Sequence, residues 1–140
     1  MPSKSFISLF TGLILICLSN PSTAAEEAQK TDDMIPGYVS LGDPMVLNLS
    51  NNNQKLTFLQ IKADVLVKND KAKEVVKSHI PAIRHQLIVL LSEQSALAMK
   101  TPAKREQIRQ QATSQVRDML DKMANNKDID EVLFSSFLVQ

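Results

Sequence analysis

The sequence is poor in the residues on which several classes of function depend. Its 140 residues include no tryptophan, one cysteine, one tyrosine and three glycines. A single cysteine forms neither an internal disulfide nor a multi-cysteine metal site, and few aromatic side chains are available to stack on bases or sugars. Sixteen basic residues face fifteen acidic ones, and the net charge is +1. Because nucleic-acid binding needs a positive surface, the composition argues against nucleic acid as a partner.

The motifs of common enzymes and metal sites are also missing. Gly37 and Gly42 are the only glycines after residue 25, so there is no glycine-rich phosphate loop, and no G-x-S-x-G sequence occurs. His79 and His85 lie roughly 240° apart around a helix, which prevents both from binding one ion on a continuous helix. Surface or interface roles suit them better. The acidic group at 128–131 has no calcium-loop glycine near it. The sequence predicts no catalytic residue, no metal and no cofactor.

The amino-terminal segment has the pattern of a secretory signal peptide. Lys4 precedes an apolar run over 6–18, whereas a helix that crosses a bilayer needs ~20 apolar residues. A run of this length is typical of a signal-peptide core, and the small residues that end at Ala25 suit a signal peptidase. Residues 1–25 are therefore predicted to be a signal peptide, with a short uncleaved membrane anchor as the alternative.

The rest of the chain divides into a linker and one domain. Residues 26–37 are polar and lack apolar periodicity, which indicates a flexible linker. Residues 38–140 have the length of one compact domain, since such domains usually run to roughly 100–150 residues. No internal repeat or low-complexity tract occurs.

The first half of this domain has the pattern of β-strands. Residues 38–49 are strand-like, and the Gly-Asp-Pro sequence at 42–44 predicts a turn in their middle. A polar loop is predicted over 50–54. Apolar and mostly polar residues then alternate over 59–67, which indicates a strand with one face on a core and one towards water.

The second half has helical periodicity. Apolar residues recur at helical spacing over 72–91, and Pro81 inside this pattern predicts a kink or a new helix start. Thr101 and Pro102 are typical of the beginning of another helix, which the two asparagines at 125–126 are expected to end. The polar face of this helix is predicted to be solvated. It comprises Arg105, Glu106, Arg109, Arg117, Asp118 and Asp121.

The last predicted element is a strand over 129–140. Phe134 and Phe137 are expected on opposite faces of this strand and well buried, because a strand that is apolar on both sides belongs inside a covered sheet. The order β-β-α-α-β predicts an α+β domain with an antiparallel or mixed sheet and two or three helices.

Four segments together resemble the periplasmic domain of the FliL family of flagellar basal-body-associated proteins. They occur in matching order, and the resemblance covers residues 38 to 140. The most specific parts are H-x-P-x-I-R and V-L-F-x-x-F-x-x-Q. The four segments are YVSLGDPMVLNL at 38–49, FLQI at 58–61, VKSHIPAIR at 76–84 and IDEVLFSSFLVQ at 129–140.

The resemblance implies a stomatin/prohibitin-type fold and a non-enzymatic role. Family members are expected to self-associate into a ring, to contact the flagellar stator and basal body, and to support flagellar rotation, motility and chemotaxis. The implied location is the periplasm, at the inner membrane and the flagellar basal body, with membrane association that is direct or through partners. The alternative is a periplasmic ligand-binding or scaffold module unrelated to the motor.

The resemblance also selects candidate interaction or structural residues. Three belong to the predicted turn and three to the helix that contains the proline. For Arg84, an ion pair with a nearby acid is the structural alternative to an interface role. The six positions are Gly42, Asp43, Pro44, His79, Pro81 and Arg84.

Overall fold

The described part of the chain folds into an antiparallel four-stranded sheet with helices packed on one face. A computed structural model describes residues 36–50 and 56–140, so the predicted signal peptide, the linker up to residue 35 and most of the predicted loop lie outside the described residues. The strands are β1 (Gly37–Ser40), β2 (Met45–Leu49), β3 (Thr57–Val67) and β4 (Ile129–Val139). The helices are α1 (Asp70–Ser78), α2 (Ile80–Ser92) and α3 (Pro102–Ala124), with a short 3-10 helix at Ala98–Lys100.

Strand β3 is the centre of the sheet. Its first half pairs with β2 and its second half with β1 along one edge, while β4 pairs with it along the other. Every second side chain of β3 is buried, and Leu59, Ile61 and Val65 are fully so. The alternation predicted over 59–67 is confirmed, because one face of β3 meets the core.

All three α-helices contribute side chains to one core with the buried face of the sheet. The contributing residues are small or aliphatic and recur on one side of each helix, which is the arrangement that buries an amphipathic helix. They are Ala72 and Val76 from α1, Ile83, Leu87, Leu90 and Leu91 from α2, and Ile108, Ala112, Val116 and Leu120 from α3. The predicted α+β class is confirmed, with a purely antiparallel ladder between the named strands.

Pro81 marks a new helix start rather than a kink. Helix α1 ends at Ser78, and Pro81 lies in the first turn of α2, where its missing N–H costs no hydrogen bond. Helix α3 likewise begins at Pro102. Its last residue is Ala124, and its C-terminal cap is Asn125, whose φ of 48° is left-handed and whose N–H donates to the carbonyl of Asp121. Asparagine tolerates this conformation better than most residues. In the described ranges no helix is long and apolar enough to cross a membrane.

Strand β4 differs from the prediction because it is an edge strand of the described sheet, with one register shift at Asp130 and a second at Ser135. The register passes from Ala63 opposite Phe134 to Lys62 opposite Ser136, so Ser135 is an extra residue. An extra residue reverses the alternation of the side chains that follow it. Phe134 and Phe137 therefore face the same side, with ring centroids 6.0 Å apart, and both are half-buried. The expectation of opposite, well-buried faces inside the sheet was wrong.

Helix α3 covers the outer edge of the first part of β4. The Thr113 hydroxyl accepts a hydrogen bond from the N–H of Val132 at 2.9 Å. Arg117 donates from Nη2 to the carbonyl oxygens of Ile129 and Asp130, each at 2.9 Å. These side chains take the place that a neighbouring strand would occupy, since an edge strand otherwise presents unpaired backbone groups.

Two more arginines of α3 connect it to β4. Arg109 forms ion pairs with Glu106 on its own helix and with Glu131 on the strand. The guanidinium carbon of Arg105 lies 5.0 Å from the ring centroid of Phe137, within the range of a cation–π contact. The prediction that this face is simply solvated was therefore wrong for Arg105, Arg109 and Arg117.

The ion pair of Glu106 predicts an unusual acid titration. A hydrogen bond from Arg109, and to a smaller extent one from Gln110, lowers the pKa of Glu106 from 4.5 to about 2. A lowered pKa in the folded state adds stability above the unfolded-state pKa, and that contribution is lost as the pH falls through about 2. We expect an NMR titration of the Glu106 side chain to have its midpoint near pH 2 in the folded protein, and Arg109→Gln to raise it. A wild-type midpoint near 4.5 would contradict the arrangement.

Candidate functional site

The connection between β1 and β2 is an exposed turn whose shape depends on Gly42. Its φ of 89° lies in the region that residues with a side chain rarely adopt. The Gly42 N–H donates to the Ser40 hydroxyl at 3.3 Å. Asp43 and Pro44 are exposed, whereas Leu41 before them is buried. The turn predicted at 42–44 is present as a bend at Asp43 that does not reverse the chain, because β1 and β2 both run antiparallel to β3 in the same direction. It presents polar backbone and one carboxylate at the surface.

Arg84 joins helix α2 to this turn. Its Nη1 donates to the carbonyl oxygen of Leu41 at 2.8 Å and to that of Asp43 at 2.6 Å. Within the described residues, no carboxylate lies within ion-pair distance of the guanidinium. The expected structural alternative, an ion pair with a nearby acid, was wrong: the partners are two backbone carbonyls. Arg84 is half-buried and positions the turn.

His79 and Pro81 lie at the junction of α1 and α2. The Nδ1 of His79 donates to the carbonyl oxygen of Val75 at 2.7 Å, and its backbone N–H donates to Val76 at 3.0 Å. Pro81 is exposed and stands three residues before Arg84, so the two share one helix face. The structure thus brings Arg84 into contact with the turn. Pro81 lies next to Arg84 on the same helix face, and His79 is the C-terminal cap of α1. His85 is exposed.

On the face of the sheet opposite the described helices, apolar side chains are exposed, and these were not predicted from the sequence. Val46 and Leu138 both lie opposite Gln60 of β3, and Phe58 is two residues away on the same face. The three are 65%, 47% and 41% exposed. We call Val46, Phe58 and Leu138 the apolar face. Clustered exposed apolar side chains are characteristic of interaction surfaces. The alternation of β2 and β3 contains the signal for Val46 and Phe58, whereas the place of Leu138 depends on the register of β4.

A groove between α3 and β4 was also missed. It has a volume of about 340 Å³. Its lining residues are Pro102, Arg105, Glu106, Arg109, Leu133, Phe134 and Phe137. The bulge at Ser135 puts Phe134 and Phe137 on the same side of β4, where both line the groove. The sequence pattern alone does not reveal this bulge. Among the residues that the structure describes, no three His, Cys, Asp or Glu side chains are grouped so that they could hold a metal ion.

Replacement of Arg84 should destabilise the turn measurably. Arg84→Met leaves the carbonyls of Leu41 and Asp43 without their charged donor, and hydrogen bonds to charged groups contribute ~1.5–3 kcal/mol. We expect urea unfolding to give a loss of about 1–2 kcal/mol, since Asp43 remains open to water. The control is Lys77→Met, which removes an exposed ion pair with Glu74. Equal unfolding midpoints for the two variants would show that Arg84 does not hold the turn.

Comparison with known proteins identifies the domain. A search among curated proteins finds no match to this chain. The family model described as flagellar basal body-associated protein FliL matches residues 38–140. That range includes all four strands except the first residue of β1, together with the Arg84 site and the apolar face. The chain belongs to the FliL family of flagellar basal body-associated proteins.

Proposed function

We propose that this protein is a non-enzymatic accessory protein of the flagellar motor that acts by protein–protein contact. The family match over the whole domain supports a role at the flagellar basal body. The proposal adds that the protein self-associates, contacts the stator, and so supports rotation, motility and chemotaxis. The observation that carries it is the match over 38–140.

The surface of the domain suits a protein that works by contact. The apolar face of Val46, Phe58 and Leu138 remains outside the core of the described residues. Burial of apolar area at an interface is favourable by roughly 25 cal/mol per Å² of surface. The turn held by Arg84 presents a fixed backbone at another part of the surface, so either region supplies a rigid contact area.

The location follows from the same proposal. The pattern of residues 1–25 and the family match together support export to the periplasm, at the inner membrane beside the basal body. Cleavage after Ala25 and retention of a short anchor are the two routes. The order of elements is compatible with the stomatin/prohibitin-type fold that the family resemblance implies, and we include that fold in the proposal.

A substitution on the apolar face tests the proposed role in motility. Val46→Asp adds a charge to a residue that is 65% exposed, so the domain should fold while an apolar contact is lost. In a strain that lacks the native gene and any second family member, we expect this variant to reduce swimming in viscous medium and to lose localisation at the motor. The wild-type gene should restore both.

The matched control is Gln107→Asp, which adds the same charge at an exposed position on α3. It should support swimming as the wild type does. Circular dichroism of both purified variants separates loss of contact from loss of folding. Normal swimming of the gene deletion at every load would refute the motor role itself, whereas normal swimming of Val46→Asp alone would remove only the apolar face from it.

A further inference from the structure

The outer edge of β4 is protected along only part of its length. Thr113 and Arg117 bind the backbone from Ile129 to Val132. Beyond the bulge, in the described part of the chain, β4 has β3 on one side and no strand on the other. The edge therefore changes from a side-chain-covered half to an open half.

The open half presents backbone groups in a regular strand geometry. Phe58 and Gln140 exchange two backbone hydrogen bonds, of 2.8 and 2.9 Å. Opposite residues in an antiparallel pair alternate between bonded and non-bonded positions, so the N–H and C=O groups of Phe137 and Val139 point away from β3. Within the described residues these outward groups have no hydrogen-bond partner.

A side-chain pocket lies beside these groups. Phe137 and Phe134 form its strand wall, and Pro102 and Arg105 form its helix wall, around about 340 Å³. A strand laid along β4 would direct alternate side chains to this side of the sheet. Backbone bonds together with a pocket for alternate side chains are the two elements of recognition by strand addition.

Arg105 places a positive charge in this groove. Its Nε donates to the Met99 carbonyl and its Nη2 to the Lys100 carbonyl, while its guanidinium covers Phe137. Glu106 and Arg109 also line the groove, but they form an ion pair with each other, and Arg109 pairs with Glu131 as well. In the described ranges Arg105 has no carboxylate partner. An acidic side chain in the occupant would supply that partner.

We propose that the open edge of β4 binds an extended segment of a partner protein by strand addition, with an apolar side chain in the groove and an acidic side chain at Arg105. A second copy of this chain fits less well. Two β4 edges paired about a two-fold axis would bring the two Arg105 side chains together, and like charges at an interface oppose association. The proposal goes beyond the motor role, and it is tested without a motor.

The test screens a displayed library of ten-residue linear peptides for binding to the full-length protein. Val, Ile, Leu or Phe alternates with Thr in each peptide, and one position is Asp, Glu, Asn or Gln.

Val139→Pro removes one outward N–H without removing a bond to β3, and proline is tolerated on edge strands. Val139→Thr retains that N–H and is the matched control. We expect acidic peptides to be enriched on the wild type and on Val139→Thr.

Loss of backbone hydrogen bonds to β4 should weaken the binding of the most strongly enriched peptide. We expect binding about tenfold weaker for Val139→Pro, and for wild type with a peptide N-methylated at alternate residues. Replacement of the peptide acid by its amide should also weaken binding. No enrichment, equal binding to Val139→Pro, or equal binding of the N-methylated peptide would overturn the proposal. A dimer in sedimentation that Val139→Pro dissociates would assign the edge to a second copy and overturn it too, while the motor role would stand.

Discussion

The antiparallel pairing of β3 with β4 is the interaction on which the rest of the structure depends. It joins a strand from the first half of the domain to the last strand, from Leu59 opposite Val139 to Val67 opposite Ile129. The three helices lie between these strands in the chain, so the pairing closes the core around them. The remaining edge of β3 holds two short strands, β1 and β2, which need the turn at Gly42 and the hydrogen bonds of Arg84 to follow one continuous partner. The four described strands are thereby joined through one long central strand, with β1 and β2 on one of its edges and β4 on the other.

The same pairing explains why α3 carries so many arginines towards the sheet. In the described part of the chain, the outer edge of β4 has no neighbouring strand, and side chains of α3 form hydrogen bonds with part of its backbone. The ion pair of Arg109 with Glu131 and the position of Arg105 over Phe137 fix the helix along the strand. In the described residues, the hydrogen bonds from α3 to the backbone of β4 end at Val132, before the bulge at Ser135.

The sequence predicted the individual strands and helices better than the register and contacts between them. Period-two alternation was sufficient for β3, and proline chemistry was sufficient for the beginning of α3, because both signals are local. At Pro81 the same chemistry left a kink and a new helix start as alternatives, and the structure has the new start. The bulge at Ser135 was not predictable in this way, since it is defined only by the register against β3, and it reversed the expected side of Phe137. For the candidate site, the turn at Gly42 was predicted from Gly and Pro. The partners of Arg84 were not, because backbone carbonyls of a distant turn leave no mark in side-chain spacing.

Native-state hydrogen exchange tests the central role of the β3–β4 pairing most directly. The N–H groups of Gln60, Lys62 and Asp64 point towards β4, whereas those of Ile61 and Ala63 point towards the β1–β2 edge. If the pairing closes the domain, the amides of the first group should exchange only through global unfolding, with a free energy equal to that from urea denaturation. Amides of β1 and β2 should exchange through smaller openings. Exchange of the first group at a lower free energy than the amides of α2 would contradict the account.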